Sequence, residues 1–138
     1  MSENWVKDIN DMHRKFGVHE AVNNFEYKKK LKEFLEFRLR FLDEELNETK
    51  TAAARPGSVD AEEVVDGLID LCVVAIGTLD AFGVDAYKAW DEVHKANMSK
   101  KVGIKEGRPN PTGLPDLVKP EGWQNPSHEG NHGTLTGV

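Results

Sequence analysis

Between Val64 and Phe82 the chain is apolar almost all the way round, with Val64, Val65, Leu68, Ile69, Leu71, Val73, Val74, Ile76, Leu79 and Phe82 crowding every side. Such a stretch predicts a helix over about 60–82 that is buried on most sides. Yet Glu63, Asp66 and Asp70 recur at helical spacing within it, so they share one face. Carboxylates on a helix destined for a core are costly unless something cationic compensates them. A second acidic cluster, Glu44-Glu45-Leu46-Asn47-Glu48, lies in an earlier stretch that also reads as helix. There Glu45 and Glu48 project together, as do Glu44 and Glu48. The simplest compensation for so many carboxylates is a hard divalent cation, Mg²⁺, with a phosphate-bearing ligand beyond it.

The remaining chain supplies partners for that helix. Ser2 can cap a first helix over about 3–16, with Trp5, Ile9, Met12 and Phe16 as its apolar stripe and Gly17 as its stop. Residues 18–24 read as a connection. A long second helix follows over about 26–54, roughly 40 Å at the helical rise. Leu31, Leu35, Leu39, Leu42 and Leu46 form its core face. Beside them, Phe34, Phe37 and Phe41 give way to Glu44, Glu45 and Glu48. That stripe could hold a base or sugar at one end and metal-bound phosphates at the other; the plainer reading makes the phenylalanines core. Arg55-Pro56-Gly57-Ser58 breaks the helix, and Ser58 or Asp60 caps the next. Gly67 and Gly77 permit close helix approach. Gly83 ends that helix, and Asp85 can start a fourth over about 85–101, with Tyr87, Trp90, Val93 and Asn97 along one side.

The expected fold is all-α: a four-helix-type bundle over residues 1–102, then an irregular Gly/Pro-rich C-terminal extension over 103–138. Composition alone makes that tail flexible, with Leu114, Leu117, Val118 and Trp123 available to pack on the bundle or on a neighbouring subunit. One bundle in a chain of 138 residues has trouble burying the third helix completely, so a homo-oligomer is expected.

Charge and composition narrow the function. A formal charge of −6 and a pI near 5.4 argue against a nucleic-acid polymer as partner. No apolar run reaches the roughly 18 residues of a membrane span. The start, Met-Ser-Glu-Asn-Trp, has neither a basic region nor an apolar signal core. The lone Cys72, set among Leu71, Val73 and Val74, reads as a buried small apolar residue in a reducing cytoplasm.

Three readings of the acidic clusters compete. A solvated acidic face, with Asp60 and Glu63 as a capping box, suits Glu63 but not Asp66 and Asp70, which have apolar neighbours. A carboxylate di-iron bundle needs Glu-x-x-His from two helices; Asp91-x-x-His94 is the nearest approach and occurs once. The third reading rests on resemblance. Glu44-Glu45-x-x-Glu48, a spacer, then Glu63-x-x-Asp66 resembles the signature of the MazG-like all-α nucleoside triphosphate pyrophosphohydrolases. Met12-His13-Arg14-Lys15-Phe16-Gly17, Val65 to Leu71 with Gly77-Thr78 and Gly83, and Glu92 to Lys100 resemble the phage-encoded branch. The similarity covers about residues 5–123.

The resemblance implies hydrolysis between the α- and β-phosphates, giving a monophosphate and pyrophosphate, by a helical protein that forms a homodimer or homotetramer. It implies Glu45, Glu48, Glu63 and Asp66 as metal ligands, and Glu44 also matches its motif, so Glu44 and Glu45 are expected in catalysis. Asp70, outside the matched set, is a further candidate ligand because it lies on the same stripe. Glu44 would hold an additional metal or orient the attacking water. Asn97 and Lys100 match the family's segment and are expected at phosphate or sugar. Arg38 and His13 are further substrate-binding candidates, although a surface position is the commoner one for such a histidine. Lys28, Lys29, Lys30 and Lys32 read as a solvated run. Chemistry points the same way. Phosphoryl attack is opposed by the phosphate's own charge, and two or three Mg²⁺ ions, or Mn²⁺ in their place, would neutralise it. No serine, cysteine or histidine arrangement suggests a covalent intermediate, so water attacks directly. The base stays open: dGTP or GTP in phage nucleotide-pool adjustment within the host cytoplasm is one expectation, with dCTP, damaged nucleotides and phosphoribosyl-ATP as alternatives. A rival of another class keeps the bundle as a non-catalytic nucleotide- or metal-binding regulator.

Overall fold

Asn4 opens the first helix. Its side chain accepts a hydrogen bond from the Lys7 amide at 3.0 Å, in the capping position expected of Ser2. The Ser2 hydroxyl instead accepts from the Asn4 amide. The computed structural model describes residues 1–24, 29–108, 110–113 and 115–138, so Lys28 and Leu114 lie outside the described residues. Helix α1 spans Trp5–Lys15. Its buried residues are Ile9 and His13, whereas Trp5, Met12 and Phe16 of the expected stripe are exposed. Counting only apolar side chains had missed a buried polar one.

Gly17, at φ 75°, turns the chain straight into a second helix, α2, Val18–Asn23. A left-handed residue there favours glycine. The expected connection is therefore a helix of six residues, too short for its period to be read. Helix α3 spans Leu31–Ala53, with Lys30 at its N-cap. It starts later than about 26, and residues 25–28 are not described. Helix α4 spans Ala61–Ala81 and is capped by Asp60, which accepts from the Glu63 amide at 3.2 Å. The linker between them is tied by Arg55 Nη1 to Asp60 at 2.7 Å.

Two compact units result: Met1–Ala86 with His132–Val138, and Tyr87–Asn131. In the first, α3 and α4 form the main pairing, and α1 and α2 pack on α4. Its core joins Val22, Leu31, Ala81 and the fully buried Phe82, with Phe34, Leu35, Val84 and Leu135 around them. Burying a side chain of Phe82's size stabilises by about 1.5–3 kcal/mol. The Phe34 ring lies 5.7 Å from that of Phe82, so Phe34 is core, while Phe37 is exposed and stacks on Phe41.

Two expectations of burial fail within the single chain. On α3, Leu39 and Leu46 are exposed. On α4, only Gly67, Val74, Gly77 and Ala81 are buried, while Val65, Leu68 and Ile69 are 64, 52 and 45% exposed. The chain's own helices cover α4 on part of its circumference only. Cys72 is half-buried rather than buried, beside a cavity lined by Trp5, Ile9, Ile69 and Ile76.

The C-terminal part of the first unit is a 3₁₀ turn, Gly133–Gly137. Phe82 O accepts from the Thr134 amide at 2.8 Å and from its hydroxyl at 3.3 Å. A Cβ on Gly133 would fall on that same carbonyl.

Within the second unit, helix α5 (Ala86–Met98, its first residue in the other unit) stops short of the expected 101. Lys101–Gly103 forms strand β1, antiparallel to β2, Asp116–Val118, with Val102 opposite Leu117. The tail is thus partly ordered despite its composition. Trp123 Nε1 donates to Ala96 O at 2.8 Å, and Lys100 and Lys119 lie over its ring at 5.5 and 4.8 Å.

Among the described residues, no single helix is long and apolar enough to cross a membrane.

Candidate metal and substrate site

Helices α3 and α4 press together where Gly67 meets Thr49. A Cβ on Gly67 would land on Thr49 Oγ1, which itself donates to Glu45 O at 2.7 Å. Both residues are buried. Glu45 and Glu48 sit within one turn of Thr49, and Asp66 and Asp70 within one turn of Gly67. One close crossing therefore sets the two acidic stripes side by side.

The electrostatics report the same convergence. The Glu45 carboxyl is held above the usual range by desolvation first, then by the charges of Asp70, Glu48, Asp66 and Glu44. Glu45 and Asp70 are half-buried; Glu44, Glu48, Glu63 and Asp66 are exposed. These last acids do not lie in an oily interior of the single chain, contrary to expectation, because α4 is covered on one side only. Glu48 and Glu63 line a cavity of about 430 Å³ with Asn47, Thr51, Arg55 and Asp60. Among the described residues none of the six acids is ion-paired. An all-oxygen donor set with mutual repulsion, whose nearby Arg55 is paired with Asp60 instead, fits a hard divalent cation.

Arg38 and His13 lie at other points of the first unit. Arg38 Nε donates to Thr78 Oγ1 at 3.0 Å and Nη2 to Val74 O at 2.9 Å, and burial lowers its pKa. Gly77 makes room for both: a Cβ there would stand 2.6 Å from Arg38 Nη2 and 3.2 Å from the His13 ring. His13 is 4% exposed, not on the surface, and its Nδ1 is 2.7 Å from Asp80 Oδ2. Asn97 and Lys100 belong to the second unit; Asn97 is exposed, and its carbonyl accepts from the Lys100 amide at 3.1 Å.

Sequence reading missed Asn10, His19 and Asp80. His19 Nε2 lies 2.5 Å from Asp80 Oδ2, and Asn10 Nδ2 donates to Asp80 Oδ1 at 2.8 Å. The signal was present: Asp80 is one more acid on the same apolar helix and needs a partner for the reason Asp70 does. Burial acts on its carboxyl in the upward direction, and the hydrogen bonds from Asn10, His19 and His13 outweigh it, leaving the pKa low.

An all-α chain whose two longest helices carry Glu-Glu-x-x-Glu and Glu-x-x-Asp side by side has the make-up of a metal-dependent nucleotide pyrophosphohydrolase of the MazG-like superfamily. The chain belongs to the phosphoribosyl-ATP pyrophosphohydrolase family, whose model matches residues 9–97. That span includes all six acids, His13, Arg38 and Asn97, and stops before Lys100. No curated protein matches the chain. Family membership makes the chain a pyrophosphohydrolase acting on a phosphoanhydride bond of a nucleotide.

Proposed function

We propose that the chain is a Mg²⁺-dependent nucleoside triphosphate pyrophosphohydrolase that releases pyrophosphate and leaves the monophosphate. The observation that carries this is the close crossing of α3 and α4 at Thr49 and Gly67, which brings the charges of Asp70, Glu48, Asp66 and Glu44 to bear on Glu45. Glu45, Glu48, Glu63, Asp66 and Asp70 would hold the ions. When bound, Mg²⁺ offsets the charge of the triphosphate and lowers the pKa of a coordinated water. Glu44, exposed at the edge of the cluster, accepts a hydrogen bond from the attacking water and orients it. The repulsion that burdens Glu45 without metal leaves the face ready to bind cations tightly. Asn97 and Lys100 would contact phosphate or sugar. Mn²⁺ would substitute, since it shares the preference for oxygen ligands.

A second substrate is favoured by the family match itself: phosphoribosyl-ATP, in which the same bond is cut. Phage origin rests on the resemblance of Met12–Gly17, of Val65–Leu71 with Gly77-Thr78 and Gly83, and of Glu92–Lys100 to the phage-encoded branch, and a dGTP or GTP preference rests on that branch alone. The exposed Val65, Leu68 and Ile69 of α4, and Tyr87, Trp90 and Val93 of α5, would be covered in a homodimer or homotetramer working in the cytoplasm.

The test is to incubate the protein with Mg²⁺ and a panel of NTPs, dNTPs and phosphoribosyl-ATP, and to assay pyrophosphate and the nucleotide product. Pyrophosphate with monophosphate is expected, abolished in Glu45→Gln. Inorganic phosphate as product, or no release above Glu45→Gln, would overturn the reading.

A further inference from the structure

Helices α1, α2 and α4 bring two imidazoles and a carboxylate to one point away from the paired acidic motifs. His13 Nδ1 and His19 Nε2 lie 2.7 and 2.5 Å from Asp80 Oδ2, and the three ligand atoms all lie within 4.8 Å of one another. Asn10 holds the other carboxylate oxygen at 2.8 Å, which turns Oδ2 toward the histidines. The imidazoles sit edge to face, with ring centroids 5.8 Å apart. The group is not sealed. A cavity of about 360 Å³ opens beside it, lined by Asn10, His19, Asn23, Asp80, Asp85 and Thr134.

We propose that His13, His19 and Asp80 form a second cation site, for a borderline-soft divalent ion of the Zn²⁺ type. The donor set decides the class. Two imidazole nitrogens and one carboxylate suit Zn²⁺, whereas the all-oxygen face of α3 and α4 suits Mg²⁺. Ligand atoms about 2.0–2.1 Å from a tetrahedral Zn²⁺ stand roughly 3.3 Å from one another. The two short contacts would therefore open by about 0.6 and 0.8 Å, which rotation of the Asp80 carboxylate can supply, and small turns of the two imidazoles would bring their nitrogens, now within 4.8 Å of each other, to the same spacing. Asn10 is the outer partner that fixes the ligating carboxylate, as such sites require. His19, Asp80 and the adjoining cavity leave room for water or an exogenous group at the fourth position. The ion would clamp α1 and α2 to the last turn of α4, adding stability through a site that exists only in the folded chain.

The full-length chain, stripped with chelator, is titrated with Zn²⁺ alone against a chromogenic chelator and melted in Zn²⁺ and in Mg²⁺. One Zn²⁺ per chain and a Zn²⁺-specific rise in Tm are expected. His19→Gln, at a half-exposed position, should abolish both while keeping the helical circular dichroism, and His13→Asn should reproduce the loss. Glu45→Gln with Glu48→Gln should leave Zn²⁺ binding intact, which separates this site from the proposed catalytic one. Co²⁺ in place of Zn²⁺ should give visible absorption bands that His19→Gln removes. No Zn²⁺ bound by the wild type, binding unchanged in folded His19→Gln, or binding lost in the glutamate double variant would each overturn the proposal.

Discussion

The Cβ that Gly67 lacks would clash with Oγ1 of Thr49, and this contact sets how closely the two acidic helices approach. Gly67→Ala gains up to about 1 kcal/mol in helix propensity but overpacks the crossing, at about 1–3 kcal/mol. The expected net result is a less stable protein with weakened Mg²⁺ binding, read by urea denaturation and by the Mg²⁺ dependence of pyrophosphate release. Thr49→Ala combined with Gly67→Ala should recover part of the loss. A single variant as stable and active as wild type would refute the packing argument.

Glu45 should oppose stability when no cation is present. Its pKa is raised in the folded chain, so the folded state binds more protons than the unfolded one just above the ordinary glutamate range. Stability then falls as pH rises through that window. Glu45→Gln should melt higher than the metal-free wild type at neutral pH, and the gap should close as acid protonates Glu45. The same variant should have no measurable activity.

Chelation should lower the Tm of the wild type, and saturating Mg²⁺ should restore it. At a hundred times Kd the gain is about 2.7 kcal/mol per site. A Glu48→Gln, Glu63→Gln double variant should show a much smaller Mg²⁺-dependent shift in differential scanning fluorimetry. An equal shift would place the cations elsewhere.

Asp80 should behave in the opposite sense to Glu45. Its pKa is lowered in the fold, so its contribution is complete above the ordinary aspartate range and is lost as pH falls through the folded value. Asp80→Ala removes the partner of the buried His13 and should cost about 1–3 kcal/mol at neutral pH. The acid limb of its stability curve should also be flatter than that of the wild type.

Removing residues 132–138 should expose Phe82 and free the carbonyl that Thr134 occupies. Loss of the Leu135 packing and this bond should cost about 1–3 kcal/mol. Gly133→Ala should act in the same direction, because its Cβ would strike Phe82 O. Thermal melts of both variants decide the point.

The all-α class and both acidic stripes were legible from spacing because helical period is local and carboxylates among apolar residues are conspicuous. Gly67 was legible as a contact point, but its partner Thr49 was not. Nothing in a threonine on a polar turn announces that another helix will land on it. Burial was misjudged for Val65, Leu68 and Ile69, since periodicity says which side chains are apolar and not how much surface the rest of the chain can cover. His19 and Asp80, and their grouping with His13, escaped notice for a related reason. Two lie on separate short helices either side of Gly17 and the third is some sixty residues on, so only the tertiary fold makes them neighbours.

Thr134 reaches back across 52 residues to the carbonyl of Phe82, and everything between Tyr87 and Asn131 belongs to the other unit. On a translating ribosome the end of the bundle would therefore stay partly uncovered while that stretch is made, about 2–9 s at ordinary elongation rates. During that interval Val22, Leu31 and Phe34 are the first cover of Phe82, and the side that Leu135 closes stays sticky on the nascent chain.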